Sequence, residues 1–114
     1  MGVSIQTLIA GDNQTYPRPG DTVHIHYTGK LDDGRTFDSS HRRGHPFTVK
    51  IGTGLVISGW DEGVLKMSLG ETAILTASPD YAYGSKGVPP LIPPNSTLTF
   101  EMELLKVDRG KPDF

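Results

Sequence analysis

The sequence predicts an α+β domain, with about five half-buried strands in an antiparallel sheet and one short helix covering the sheet's dry face. Three observations predict it. Apolar and polar residues alternate in several short runs. Fourteen glycines and nine prolines separate those runs. Only one segment repeats its apolar residues at helical spacing.

Taken in chain order, Val23, Ile25 and Tyr27 alternate with Thr22, His24, His26 and Thr28, which is the pattern of a strand with one buried face. Asp32-Asp33-Gly34 supplies a tight turn after it. Phe47, Val49 and Ile51 repeat the alternation. The helix follows, with Ser58 placed to cap it, Asp61 three residues on as in a capping box, and Trp60, Val64 and Met67 on one face. Gly70 ends it. Ala73, Leu75 and Ala77 then alternate with Thr72, Ile74 and Thr76. In the clearest strand Leu98, Phe100, Met102 and Leu104 face one way and Thr99, Glu101 and Glu103 the other. Residues 39–46 and 83–96 have no period and read as long loops, which are more often functional than idle. Residues 108–114 read as a frayed tail.

At 114 residues the chain suits one domain, 1–114, rather than two. A formal charge of −2 with mixed signs offers no electrostatic footprint for nucleic acid or an anionic membrane. No run approaches the roughly 20 apolar residues that cross a bilayer, and no secretory signal opens the sequence, so a cytoplasmic protein is expected. Without cysteine there is no disulfide, thiolate metal site or cysteine nucleophile.

Catalytic constellations are few. Asp38, Ser39, Ser40 and His41 include the residue types of a hydrolase triad, but sequence neighbours do not normally converge on one reacting atom, and turn-forming polar residues explain them better. His24 and His26 share a strand face without a third ligand, so no metal is expected. Gly52-Thr53-Gly54 lacks the further glycine and the helix of a phosphate loop. What stands out is a set of aromatics near the predicted element ends: Tyr27, Phe37, Phe47, Trp60, Tyr81, Tyr83 and Phe100. Their composition alone is compatible with ordinary core packing as well as with a ligand site.

The segments His26-Tyr27-Thr28-Gly29, Gly34-Arg35-Thr36-Phe37-Asp38-Ser39-Ser40, Val56-Ile57-Ser58-Gly59-Trp60-Asp61-Glu62-Gly63 and Ser78-Pro79-Asp80-Tyr81-Ala82-Tyr83-Gly84 closely resemble the FKBP family, in order and spacing. Pro93-Pro94 and the run 98–105 extend the resemblance over nearly the whole chain to Val107. It implies a curved five-stranded antiparallel sheet wrapped around one short helix, and a peptidyl-prolyl cis/trans isomerase that uses no cofactor. It also implies a pocket with Trp60 as floor, Tyr27, Phe37, Phe47, Val56, Ile57, Tyr83, Ile92 and Phe100 around it, and Asp38 at its side. By the same resemblance Tyr27, Phe37, Asp38, Trp60, Tyr83 and Phe100 carry catalysis, while the Ile57 N–H and Tyr83 hydroxyl hold substrate carbonyls. Tyr27 is expected to hydrogen-bond Asp38, because a carboxylate beside an apolar cavity is costly without a donor.

The implied partners are X-Pro peptides and proteins, the macrolides tacrolimus and rapamycin, and, once a macrolide is bound, the phosphatase calcineurin or the kinase TOR. Arg43, Val88, Pro89 and Pro90 match partner-facing loop positions. Pro90 stands where glycine is common in the family and Val88 where histidine occurs, so this rim is stiffer than usual. A mostly monomeric protein is expected. Val88-Pro89-Pro90 is itself an apolar-prolyl segment, and a weak self-association follows if one molecule's loop enters another's pocket.

Overall fold

The computed structural model describes residues 2–109. Six strands form one sheet: β1 (Val3–Ile9), β2 (Thr22–Lys30), β3 (Thr36–Ser39), β4 (Phe47–Lys50), β5 (Thr72–Ala77) and β6 (Leu98–Asp108). Two short α-helices accompany them, α1 (Ser40–Arg43) and α2 (Ser58–Gly63), the latter running on into a 3-10 turn at Val64–Lys66. All pairings are antiparallel, in the order β1-β5-β6-β2-β3, with β4 also on β2.

The β2 register explains why five sheet positions hold six strands. β6 pairs with β2 from Thr22 to Lys30 and so occupies one edge completely. The other edge is shared, with β4 opposite Thr22 to Ile25 and β3 opposite Thr28 to Lys30. Between these two short strands the chain leaves the sheet, makes α1 and returns. The expected α+β architecture holds, with its outer strand divided in two.

Alternation on β2, β5 and β6 buries Val23, Ile25, Leu75, Leu98 and Leu104 completely, while their neighbours stay wetter. Val64 and Met67, just beyond α2, are also fully buried against this face. Burying a Leu, Ile or Val side chain contributes about 1.5–3 kcal/mol, so these residues are the main source of cohesion in a chain without cysteine.

Four expectations are corrected. Ser58 does not cap α2: the cap position is Ile57, no side chain caps it, and the Asp61 carboxylate accepts instead from the amides of Gly52 at 2.8 Å and Gly54 at 2.9 Å. β1 is an additional strand, whose only partly buried apolar residues in the first half are Val3 and Ile5. Part of 39–46 is ordered as α1, capped by Ser39 and ended by Gly44 at φ 79°. Asp108 is not frayed: it closes β6 and bonds His24 at 2.9 Å, and Arg109 beyond it reaches Asp21 and the Tyr16 carbonyl. The remainder of the expected tail, 110–114, lies outside the described residues.

Candidate functional site: an aromatic cup at one end of the sheet

β2, β3, β4, β6 and the N-terminus of α2 bring their aromatics to one place. The indole of Trp60, 4 % exposed, has three rings standing nearly perpendicular to it. Tyr27 is at 4.8 Å between centroids and 84°, Phe100 at 5.2 Å and 86°, and Phe47 at 5.7 Å and 77°. Phe37 stands edge-on to Phe100 at 5.7 Å. Edge-to-face packing sets the electropositive rim of one ring against the electron-rich face of another and holds each plane in orientation. The buried Trp60 Nε1 meets no hydrogen-bond acceptor among the described residues.

The rings leave a cavity of about 250 Å³, lined by Tyr27, Phe37, Asp38, Phe47, Leu55, Val56, Ile57, Trp60, Tyr83 and Phe100. Nine of these are residues the sequence singled out. Leu55 was missed, because a lone leucine after a glycine-rich turn carries no periodic signal. Ile92 departs from expectation: it is 3 % exposed, packs in the hydrophobic core and is not among the lining residues.

Local backbone makes the cup possible. Gly29 on β2 lies under Phe37 and Phe100: a Cβ there would stand 2.6 Å from Phe37 Cζ and 3.0 Å from Phe100 Cε1. Any larger residue would press on two walls of the cup. At the foot of α2, the Ile57 carbonyl accepts from the Trp60 and Asp61 amides, while its own N–H has no protein partner among the described residues. The Tyr83 hydroxyl likewise bonds no described residue, and its side chain is 42 % exposed at the mouth.

One ionic cluster flanks the cavity. The Tyr27 hydroxyl donates to Asp38 Oδ2 at 2.5 Å, and Arg43 donates to Asp38 Oδ1 at 2.8 Å and to the Tyr27 oxygen at 2.9 Å. The Arg43 guanidinium also lies 5.6 Å from the Tyr27 ring centre, within cation–π range. Arg43, expected to face partners, is thus turned back onto the site by α1. Partial burial, the largest influence on Asp38, pushes its pKa up, but the Tyr27 hydroxyl, Arg43 and the Ser39 amide together outweigh it, so the carboxyl sits below its ordinary range. Burial and the Asp38 hydrogen bond push the Tyr27 phenol up to about 12, against the opposing pull of Arg43. Burial and the Asp38 charge also raise Tyr83. At neutral pH the site therefore holds one anion, one cation and two neutral phenols.

The loop after Tyr83 closes on itself. Val88 and Ile92 exchange both backbone hydrogen bonds at 2.8 Å, leaving Val88, Pro89, Pro90 and Leu91 exposed at the tip, with the Pro89-Pro90 bond cis. Gly87 permits this, since its φ is +63° and a Cβ would lie 2.4 Å from the Ile92 carbonyl oxygen. The histidines have structural partners. His24 bonds Asp108 and Thr48, and His26 bonds Ser40 while stacking on His41 at 4.3 Å. Among the described residues no group of three or more His, Cys, Asp or Glu could hold a metal, and no helix is long and apolar enough to cross a membrane.

An apolar cup with an open amide, an open phenol and a tethered carboxylate defines a pocket suited to a small apolar ligand that carries hydrogen-bond acceptors. Comparison with known proteins gives the family. Residues 13–105 match the FKBP-type peptidyl-prolyl cis-trans isomerases. The chain is 60 % identical over 108 residues to FK506-binding protein 1A of Emericella nidulans, covering 95 % of this chain and 100 % of that protein. It is 59 % identical to the peptidyl-prolyl cis-trans isomerase Fkbp12 of Drosophila melanogaster, with the same coverage. To a peptidyl-prolyl cis-trans isomerase of Schizosaccharomyces pombe it is 57 % identical over 111 residues, covering 97 % of this chain and 99 % of that protein. The chain belongs to the FKBP-type peptidyl-prolyl cis-trans isomerase family.

Proposed function

We propose that the cup accelerates rotation about X-Pro bonds in peptides and proteins, and that the same cup receives macrolides of the tacrolimus and rapamycin type. The observation that carries this reading is the aromatic cavity over Trp60, with the Ile57 N–H and the Tyr83 hydroxyl left open beside it. In this reading Trp60 supports the proline ring and Phe37, Phe47, Val56 and Phe100 supply walls. Ile57 and Tyr83 hold substrate carbonyls. Tyr27 and Arg43 hold Asp38 at the side of the cup.

No acid, base or nucleophile is needed for such a reaction. Planarity of the amide comes from its partial double bond, and turning it through the perpendicular costs about 18–20 kcal/mol. At the perpendicular the charge separation of the amide is lost, so a water-poor apolar wall disfavours the planar forms relative to the twisted one. Binding the twisted form better than either planar isomer is the catalysis. Each ~1.4 kcal/mol of that difference is tenfold in rate, against uncatalysed exchange taking tens of seconds or more.

The names of the relatives support both parts of this reading, since one of the three names FK506 binding and the other two name prolyl cis-trans isomerisation. Capture of calcineurin or TOR by the macrolide-bound form goes with it, the exposed Val88-Pro89-Pro90 tip serving as the contacting rim. A cytoplasmic location goes with it too, as a fold without cysteine asks nothing of an oxidising compartment. Weak self-association, with that tip entering a second molecule's cup as an apolar-prolyl segment, completes the reading. The test is the exchange rate of a Leu-Pro peptide by NMR with catalytic amounts of protein. Acceleration abolished by tacrolimus is expected. Tight macrolide binding without acceleration would make the chain a binding module instead.

A further inference from the structure

Leu55 is the most exposed large apolar side chain among the described residues, at 67 %, and yet it lines the cavity. An isolated exposed leucine needs no explanation, but one on the lip of an apolar site offers surface that only a ligand can cover. The turn that carries it is held in place. The Asp61 carboxylate, freed from capping α2, accepts from the amides of Gly52 and Gly54, one through each oxygen. Those glycines have φ of +76° and +82°, and the turn they form delivers the chain straight into Leu55, Val56 and Ile57. Gly52 is further pressed on Pro19, whose Cα lies 2.9 Å from where a Cβ would be. The backbone leading into the lip is thus braced before any ligand arrives.

Resting on the isomerase reading, we propose that Leu55 is a specificity-determining residue that selects substrates with an apolar side chain immediately after the proline. The direction follows from the reaction. With the ring seated on Trp60, rotation swings the residue before proline through about half a turn relative to the ring. A contact with that residue survives in one isomer only. The residue after proline is attached to the ring's own Cα and stays with it, so a fixed apolar lip touches it in both isomers and in the twisted form alike. Such uniform binding lowers KM and leaves kcat where it is.

The test measures kcat and KM for Leu-Pro-Leu and Leu-Pro-Ser peptides, and for a Ser-Pro-Leu peptide, with the wild type, Leu55→Ser and Leu55→Met. The wild type is expected to favour leucine over serine after the proline by about tenfold, in KM, as a single apolar contact commonly provides. Leu55→Ser brings that ratio to within about twofold of unity, and Leu55→Met restores most of it. An unchanged ratio in Leu55→Ser overturns the proposal. So does a loss that falls on the residue before proline, or on kcat. No acceleration of any peptide by the wild type is a different result, which removes the isomerase reading itself.

Discussion

Asp38 shows how little of a site a single residue determines. The family resemblance made it a candidate, and its bond to Tyr27 was expected from the cost of an unpaired carboxylate. Arg43 as the second donor was not legible, because α1 is only four residues long and has no periodicity to reveal which way its side chains turn. The sign of its effect is testable. A carboxyl whose folded pKa lies below the unfolded value adds stability that is fully present above the unfolded value and is lost as pH falls through the folded one. Arg43→Gln removes one of the influences lowering Asp38. The Asp38 carboxyl should then titrate at higher pH, read from its side-chain carbon shift, and the acid limb of the stability curve should move up with it. An unmoved titration would leave the Tyr27 hydroxyl and the Ser39 amide as sufficient. Tyr27 works in the opposite direction: its raised phenol adds stability below its unfolded value near 10, and that contribution disappears as pH rises through about 12.

At the scale of elements, legibility followed burial. β2, β5 and β6 each have one dry and one wet face, so their alternation is in the sequence. β1 is an edge strand whose second half is exposed, with Leu8 at 46 % and Ile9 at 63 %, so it shows no period to read. The helix was placed by Trp60, Val64 and Met67, but its start was misassigned because Asp61 serves the neighbouring turn rather than the helix end. β2 is the element on which the cup depends most, since it carries Tyr27 and pairs with β3, β4 and β6. Gly29→Ala puts a methyl 2.6 Å from Phe37 Cζ. Overpacking of this kind costs about 1–3 kcal/mol, which denaturant unfolding would show as a lower midpoint. Calorimetric titration should show weaker macrolide binding as well, because the displaced rings are cavity walls. Full affinity in a destabilised variant would mean that the rings yield away from the cavity.

For the whole molecule, the chain's ends and middle are tied across long separations. β1 pairs with β5, β2 with β6, and Arg109 holds Asp21 and the carbonyl of Tyr16. None of these ties shows as a local sequence pattern; the resemblance, spread over nearly the whole chain, implied an antiparallel sheet around one helix, and the order of the strands comes from the structure. The apolar-prolyl tip and the mouth of the cup both carry exposed apolar surface, with Val88 at 40 % and Leu91 at 50 % exposure on the tip and Leu55 at 67 % and Tyr83 at 42 % at the cup. If tip enters cup between molecules, the weight-average sedimentation coefficient should rise with concentration, fall back with tacrolimus, and stay flat for Pro90→Gly. Equal behaviour of the two proteins over a wide concentration range would remove self-association from the reading.

Trp60 is the chain's one tryptophan, and it is also the floor of the cavity. Light absorbed by indole is therefore absorbed at the site and nowhere else, with no second indole to subtract and the four tyrosines left silent by excitation at the red edge of the band. The molecule carries an optical gauge in the lining of its cavity: a ligand entering, a wall shifting, or water reaching the ring as the fold opens would each alter the same emission. Occupancy and unfolding can thus be followed in one cuvette without a label, and a variant's loss of binding can be told from its loss of structure by the colour and yield of a single side chain.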